Sequence, residues 1–140
     1  MPADNIRGSI FSFIPNPMNL LLVGIGGALG AIARYLLSGL VLHQTTDWKF
    51  PLPTFIVNVV GCLVAGILGG LIVRSGEFTE STRLFLFTGL LGGFTTFSAF
   101  GVETVHLLRE GQLGIAALYV VLSVVAGIGA LWLALTVVAR

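Results

Sequence analysis

Charge is scarce in this sequence. Asp, Glu, Lys and Arg make up 9% of its 140 residues, against about a quarter in a soluble globular domain. So few charges cannot cover a water-facing surface, which excludes a free-standing soluble fold. Cysteine occurs once, at Cys62, so an intrachain disulfide is excluded and the thiol reads by default as a small packing residue. The first apolar run has no acidic residue. Polar connections are short, leaving no room for a soluble catalytic domain, and the chain is not expected to be an enzyme. Neither a nucleic-acid partner nor a nucleotide site is expected. Met1–Asn16 has one Arg, two prolines and no cleavable apolar core, so no signal peptide is expected.

Apolar residues are abundant instead, at 56% of the chain with a mean hydropathy of +1.02. Four runs stand out: Leu20–Leu42, Thr54–Val73, Leu84–Leu108 and Leu113–Val138. Each reaches the ~20 residues needed to cross a bilayer. The expectation is one all-α integral membrane domain over 1–140, with four transmembrane helices at about 18–42, 53–73, 84–108 and 113–138. Residues 1–17 form an N-terminal interfacial segment in this reading, with Ile10, Phe11, Phe13 and Ile14 resting on the membrane surface. Asn16-Pro17 suits an N-cap followed by proline in the first turn. Trp48 and Lys49 read as an interfacial anchor before a second helix starting near Thr54. Arg74–Arg83 is the one clearly polar loop, and Glu110-Gly111 marks a tight turn into the fourth span.

Four spans put both termini on one side. Arg7, Arg74, Arg83 and Arg140 then face Lys49 and Arg109 across the membrane. Orientation follows this Lys/Arg difference, and four against two is a weak bias. A chain so undecided can insert both ways, and antiparallel dimerisation follows naturally.

Glycine is the next abundance, with 19 residues. Gly26 and Gly30, Gly66 and Gly70, and Gly89 and Gly93 are spaced i, i+4, which lets helix backbones approach closely in lipid. Gly24-Ile25-Gly26-Gly27-Ala28-Leu29-Gly30 has a superficial dinucleotide-fingerprint look, but no strand precedes it and no βαβ acidic residue follows. The most unusual stretch is Gly92-Gly93-Phe94-Thr95-Thr96-Phe97-Ser98-Ala99-Phe100, which puts helix breakers and hydroxyls inside a spanning run. In hydrocarbon an orphaned backbone group costs several kcal/mol, so irregular backbone survives only when buried in protein or lining a polar cavity. A third helix broken at Gly92-Gly93 is expected.

Polar residues at depth are expensive and mark sites. Thr54 and Asn58 share one face of the second helix, and Tyr119 and Ser123 share one face of the fourth, which Gly127 continues. Each pair alone reads as interhelical hydrogen bonding or as donors along a pathway; two such stripes favour a shared polar track. Arg34 falls about fourteen residues into the first run, roughly 21 Å along a helix. Snorkelling or structural pairing is its plainer reading, and a vestibule charge that attracts anions the sharper one. Glu103 and His106, near the end of the third run, read equally as a helix emerging into water or as functional groups. Phe97 and Phe100 lie three apart, so both rings project from one face, and their positive edges would attract an anion without trapping it. Simple packing is the competing account.

The stretch Gly92–Phe100, with Glu103 three residues later, resembles the signature of the Fluc (CrcB) family of fluoride channels. Gly30-Ala31-Ile32-Ala33-Arg34-Tyr35 and Thr54-Phe55-Ile56-Val57-Asn58-Val59-Val60-Gly61 resemble two further motifs of that family, in the family's order. The resemblance covers almost the whole chain. It implies an antiparallel, dual-topology homodimer in the cell inner membrane that exports fluoride passively through two pores and so relieves fluoride toxicity. It further implies that Phe97, Phe100, Asn58, Ser123, Tyr119 and Thr54 line the fluoride pore, and that Arg34 lies near the vestibule. Gly92 and Thr95 match positions whose backbone carbonyls, from both subunits, hold a structural sodium ion.

Two departures stand out. Ala99 replaces the threonine of many relatives, and Gly127 falls where some relatives continue the track with a second serine. The track is then shorter, wetter, or completed by another residue such as Thr136. The main rival function is a proton-coupled small multidrug-type exporter using Glu103. A third possibility is a structural subunit that transports nothing.

Overall fold

A computed structural model describes residues 16–45, 47–76 and 78–140. The expected interfacial residues Ile10, Phe11, Phe13 and Ile14 lie outside the described residues. Among the described residues the chain is all-helical, and four helices are long and apolar enough to cross a membrane: Pro17–Gln44, Leu52–Ser75, Glu80–Arg109 and Leu113–Val138.

Local chemistry sets the helix ends. Helix α1 (Pro17–Gln44) opens where the Met18 N–H donates to Asn16 Oδ1 at 2.9 Å, with Pro17 in the first turn. Helix α2 (Leu52–Ser75) stops at Gly76, whose φ of 67° is the left-handed conformation that ends helices. The expected polar loop is thereby shortened, since Arg74 and Ser75 finish α2 and Glu80–Arg83 already form the short helix α3. Thr79 caps α3 by accepting from the Thr82 N–H at 3.2 Å. Gly111, at φ 74°, makes the turn into α6 (Leu113–Val138).

The third span is composite. After α3 come a π-helical segment (Leu84–Leu91), a three-residue helix α4 (Gly92–Phe94), two extended residues, and α5 (Phe97–Arg109). Before the break this span packs on α1; after it, on α6. The other principal pair is α2 with α6. The break therefore hands the span from one neighbour to another.

Close backbone approach explains the paired glycines. A Cβ on Gly26 would lie 2.7 Å from the Phe85 carbonyl oxygen and 3.0 Å from the Gly89 Cα. One on Gly30 would strike the Leu90 carbonyl and lie 2.8 Å from the Phe94 nitrogen. The wider i→i+5 turns of the π segment bring Phe85, Leu90 and Phe94 into register along α1. A Cβ on Gly70 would lie 2.8 Å from Val138 Cβ, where α2 meets α6. Dispersion between touching backbones holds these pairs, because lipid tails remove the usual hydrophobic drive.

Gly30→Leu should therefore cost about 1–3 kcal/mol, the usual penalty for overpacking. Gly114→Ala, at a position with nothing within 4 Å of the added carbon, should change stability by less than about 0.5 kcal/mol. Unfolding by SDS titration in mixed micelles measures both; equal effects would contradict the close-approach account.

Candidate functional site

The break in the third span lies at Thr95–Thr96, not at Gly92-Gly93. Gly92 keeps helical angles (φ −62°, ψ −37°), while Thr95 (ψ 158°) and Thr96 (φ −149°, ψ 112°) are extended. Gly93 serves contact instead: a Cβ there would strike the Gly27 carbonyl of α1. The threonine hydroxyls bond on either side of the break, Thr95's adding to a carbonyl that keeps its helical N–H and Thr96's replacing a lost partner. Thr95 Oγ1 donates back to the Leu91 carbonyl at 2.9 Å, and Thr96 Oγ1 accepts from the Ala99 N–H at 3.2 Å, capping α5.

Asn58 of α2 completes the junction. Its Oδ1 accepts from the Thr96 N–H at 2.9 Å, and its Nδ2 donates to the Thr96 carbonyl at 3.1 Å. The carbonyls of residues 92–95 lose their helical donors at the break. The Thr96 N–H would have served Gly92 and the Ala99 N–H would have served Thr95, but these go to Asn58 and to the Thr96 hydroxyl. Between those two carbonyls, the Gly93 oxygen accepts from Arg34 Nε at 3.2 Å. Arg34 is thus turned inward and paired rather than snorkelling. It lies ten residues, ~15 Å, before the end of α1.

Beside the break is a cavity of about 280 Å³ lined by Asn58, Thr96, Phe97, Phe100, Ser123 and Cys62. The Phe97 and Phe100 rings share this face, with centroids 5.5 Å apart and planes inclined at 39°. Phe97 is 83% exposed in the single chain. Ser123 Oγ is buried and has no protein partner, alone in that respect among the described residues.

Thr54 and Tyr119 belong to a different cluster. Thr54 Oγ1 donates to Glu103 Oε1 at 2.6 Å, and the Tyr119 hydroxyl donates to Glu103 Oε2 at 2.7 Å. Tyr119 is fully buried, with Phe50 edge-on at 5.3 Å and Phe100 at 5.1 Å. Glu103 lies toward a helix end, as the sequence placed it, and is held there by hydroxyls from two other spans. Its companion His106 behaves as the plainer reading expected, pairing with Glu110 at 3.2 Å on an exposed face. Thr54 and Glu103 also line a wide cleft of about 870 Å³ that includes Ser38 and His43 of α1. Arg34, Thr54 and Thr96 line a third cavity of about 310 Å³. Sequence reasoning passed over Ser38, whose i+4 spacing from Arg34 was the available signal.

The expected track thus divides at Asn58. Asn58, Phe97, Phe100 and Ser123 meet in one cavity, whereas Thr54, Glu103 and Tyr119 form one hydrogen-bonded chain. Gly127 does sit on the Ser123 face. Thr136 does not extend the track, because its hydroxyl bonds back to the Trp132 and Leu133 carbonyls of its own helix. Ala99 lines the Arg34 cavity and offers no hydroxyl there.

The family described as CrcB-like protein, Camphor Resistance (CrcB), matches residues 21–135. The chain is similar to the fluoride-specific ion channel FluC of Methylobacillus flagellatus, at 60% identity over 106 residues, covering 76% of this chain and 83% of that protein. It is 50% identical over 105 residues to FluC of Novosphingobium aromaticivorans, covering 74% and 82%. Against FluC 2 of Nitrobacter hamburgensis it is 44% identical over 108 residues, covering 77% and 86%.

Asn58→Ala removes both bonds to Thr96 and leaves its N–H unpaired, at about 1–3 kcal/mol. Amide hydrogen exchange at Thr96 should accelerate at least tenfold. Asn58→Asp keeps the acceptor and should preserve more of the protection. Unchanged exchange at Thr96 in the alanine variant would show that Asn58 does not hold the break.

Proposed function

The chain belongs to the CrcB-like family, and on that premise we propose that it is a multi-pass membrane channel selective for fluoride, located in the cell inner membrane and no enzyme. One observation carries the reading: paired phenylalanine rings and unspent neutral donors line a single cavity at a helix break. Fluoride is small and strongly hydrated, so a path must replace its water with close donors. Asn58 Nδ2 has two hydrogens, and one goes to the Thr96 carbonyl, leaving one for an ion. The Ser123 hydroxyl has no protein partner and can donate. Phe97 and Phe100 add the positive edges of their rings. Neutral donors suit conduction, because an ion must leave as readily as it enters. At the level of Glu103 the hydroxyl protons of Thr54 and Tyr119 are already engaged. An anion passing there competes with the carboxylate for them, and Arg34 supplies positive potential near the cleft. A negative-inside potential drives export at about 2.3 kcal/mol per charge per 100 mV.

The active unit in this reading is an antiparallel, dual-topology homodimer with two pores. Support comes from the weak charge asymmetry of the loops and from the exposure of Phe97, which a partner would cover. A structural sodium ion also fits these residues. The break frees the carbonyls of Gly92 and Thr95, and hard cations take oxygen ligands. Two carbonyls from each of two copies would hold the ion at the dimer centre, which ties the broken spans together.

The rival exporter needs a carboxylate free to exchange a proton for a cation, and both oxygens of Glu103 are taken by hydroxyls. Purified protein in liposomes should release fluoride, monitored with an ion-selective electrode, while chloride is retained. Phe97→Ala and Phe100→Ala should each lower fluoride efflux at least tenfold. Replacing sodium with N-methylglucamine during reconstitution should lower it too. Efflux no faster than from empty vesicles would sink the channel reading. Proton-driven uptake of a lipophilic cation that disappears in Glu103→Gln would establish the exporter instead.

A further inference from the structure

Beyond Asn58 the cavity continues along α2, and the side chain one turn on is Cys62, which lines the same cavity as the phenylalanines. Cys62 is partly buried and its thiol is free. On the facing helix α6, Ser123 lines the cavity, and one turn further comes Gly127. A Cβ on Gly127 would lie 3.3 Å from Cys62 Sγ. At that level α6 offers no side chain, and the sulfur of α2 packs against its backbone where the residue lines the cavity.

A cysteine in a membrane helix is ordinarily packing. Here an independent feature points to an occupant: Ser123 Oγ, in the same cavity, is buried with no protein partner. A buried hydroxyl left unpaired costs about 1–3 kcal/mol, which a guest able to accept from it would recover. The thiol is a weak, neutral donor, of the class that lets an anion bind without being trapped.

Resting on the fluoride reading above, we propose that Cys62 is a path-lining residue, the next neutral donor after Asn58 and Ser123. Its sulfur is also the attachment point at which a soft metal ion closes the path. With mercuric ion the step is a ligand exchange without redox change: the S–H bond breaks, an S–Hg bond forms, and the proton leaves to solvent. Thiolate is the preferred ligand class for such ions. No other cysteine exists in the chain to confuse the outcome.

The test uses full-length protein in liposomes with nitrate and gluconate salts, since chloride would itself bind the metal. Micromolar mercuric nitrate should lower fluoride efflux at least tenfold, and excess dithiothreitol should restore it. Raising fluoride from 1 to 100 mM at constant ionic strength should slow the onset of block at least threefold, whereas gluconate should not. Cys62→Ser and Cys62→Ala, each judged against its own untreated rate, should resist mercury. Mercury-insensitive efflux from the native protein would overturn the proposal, as would block whose onset ignores fluoride or persists in both variants. Loss of fluoride efflux before any mercury is added would instead count against the channel reading itself.

Discussion

The structure depends on one exchange of hydrogen bonds, that between Asn58 and the backbone of Thr96. The Thr96 N–H is taken out of the helical ladder and its carbonyl, which as N-cap opens α5, gains a second donor, both on one amide side chain at 2.9 and 3.1 Å. In water such a substitution would gain little, because solvent would serve as well. Within a bilayer the alternative is an orphaned group at several kcal/mol, so the amide decides whether the chain can be extended here at all. Once it can, the rest follows locally. Thr96 caps α5, which sets the rotation of that helix and brings Phe97 and Phe100 onto the cavity side. The same two diverted N–H groups release the Gly92 and Thr95 carbonyls.

A break of this kind also needs rigid surroundings, and the glycines supply them. The segment before the break is pressed onto α1 through Gly26, Gly27 and Gly30, with no side chains between the backbones. α2, which carries Asn58, is held against α6 through Gly66 and Gly70. Asn58 can therefore meet Thr96 only because two glycine-lined contacts fix the helices on either side. Arg34 adds a tie, reaching from α1 to the Gly93 carbonyl at the end of α4.

Much of this was legible in the residues, and the parts that were not share a cause. The four spans, the Asn16 cap, the glycine pairs and the common face of Phe97 and Phe100 follow from composition or spacing, which are properties of a helix taken alone. The exact break was misplaced because glycine signals both flexibility and close approach, and only the neighbouring α1 shows which applies to Gly93. Threonine is equally ambiguous, since its hydroxyl can back-bond within a helix, as Thr95 does, or cap a new one, as Thr96 does. Glu103 does lie toward the end of its helix, but what holds it was not legible. Its partners, Thr54 and Tyr119, are 49 and 16 residues away in sequence, and no local pattern announces them. Thr54 and Tyr119 were recognised as polar faces, but their common acceptor was not.

The arrangement of charge around the break is itself an argument about permeation. Arg34 and Glu103 are the two ionisable groups held against the junction, and each is tied to neutral dipoles rather than to the other. Arg34 donates to a carbonyl, and Glu103 accepts from two hydroxyls. Both line the clefts on the α1 side of Thr96, while the cavity with the phenylalanines is lined by neutral groups alone. Inside that cavity a full positive charge would deepen the well for an anion and slow its escape, and a full negative charge would raise a barrier, each by several kcal/mol at low dielectric. Kept behind the Asn58–Thr96 wall, the same charges shape the approach of an ion without holding it. Selectivity is then left to hydrogen-bond donors close enough to replace the water of a very small anion, and the cavity presents donors of that kind.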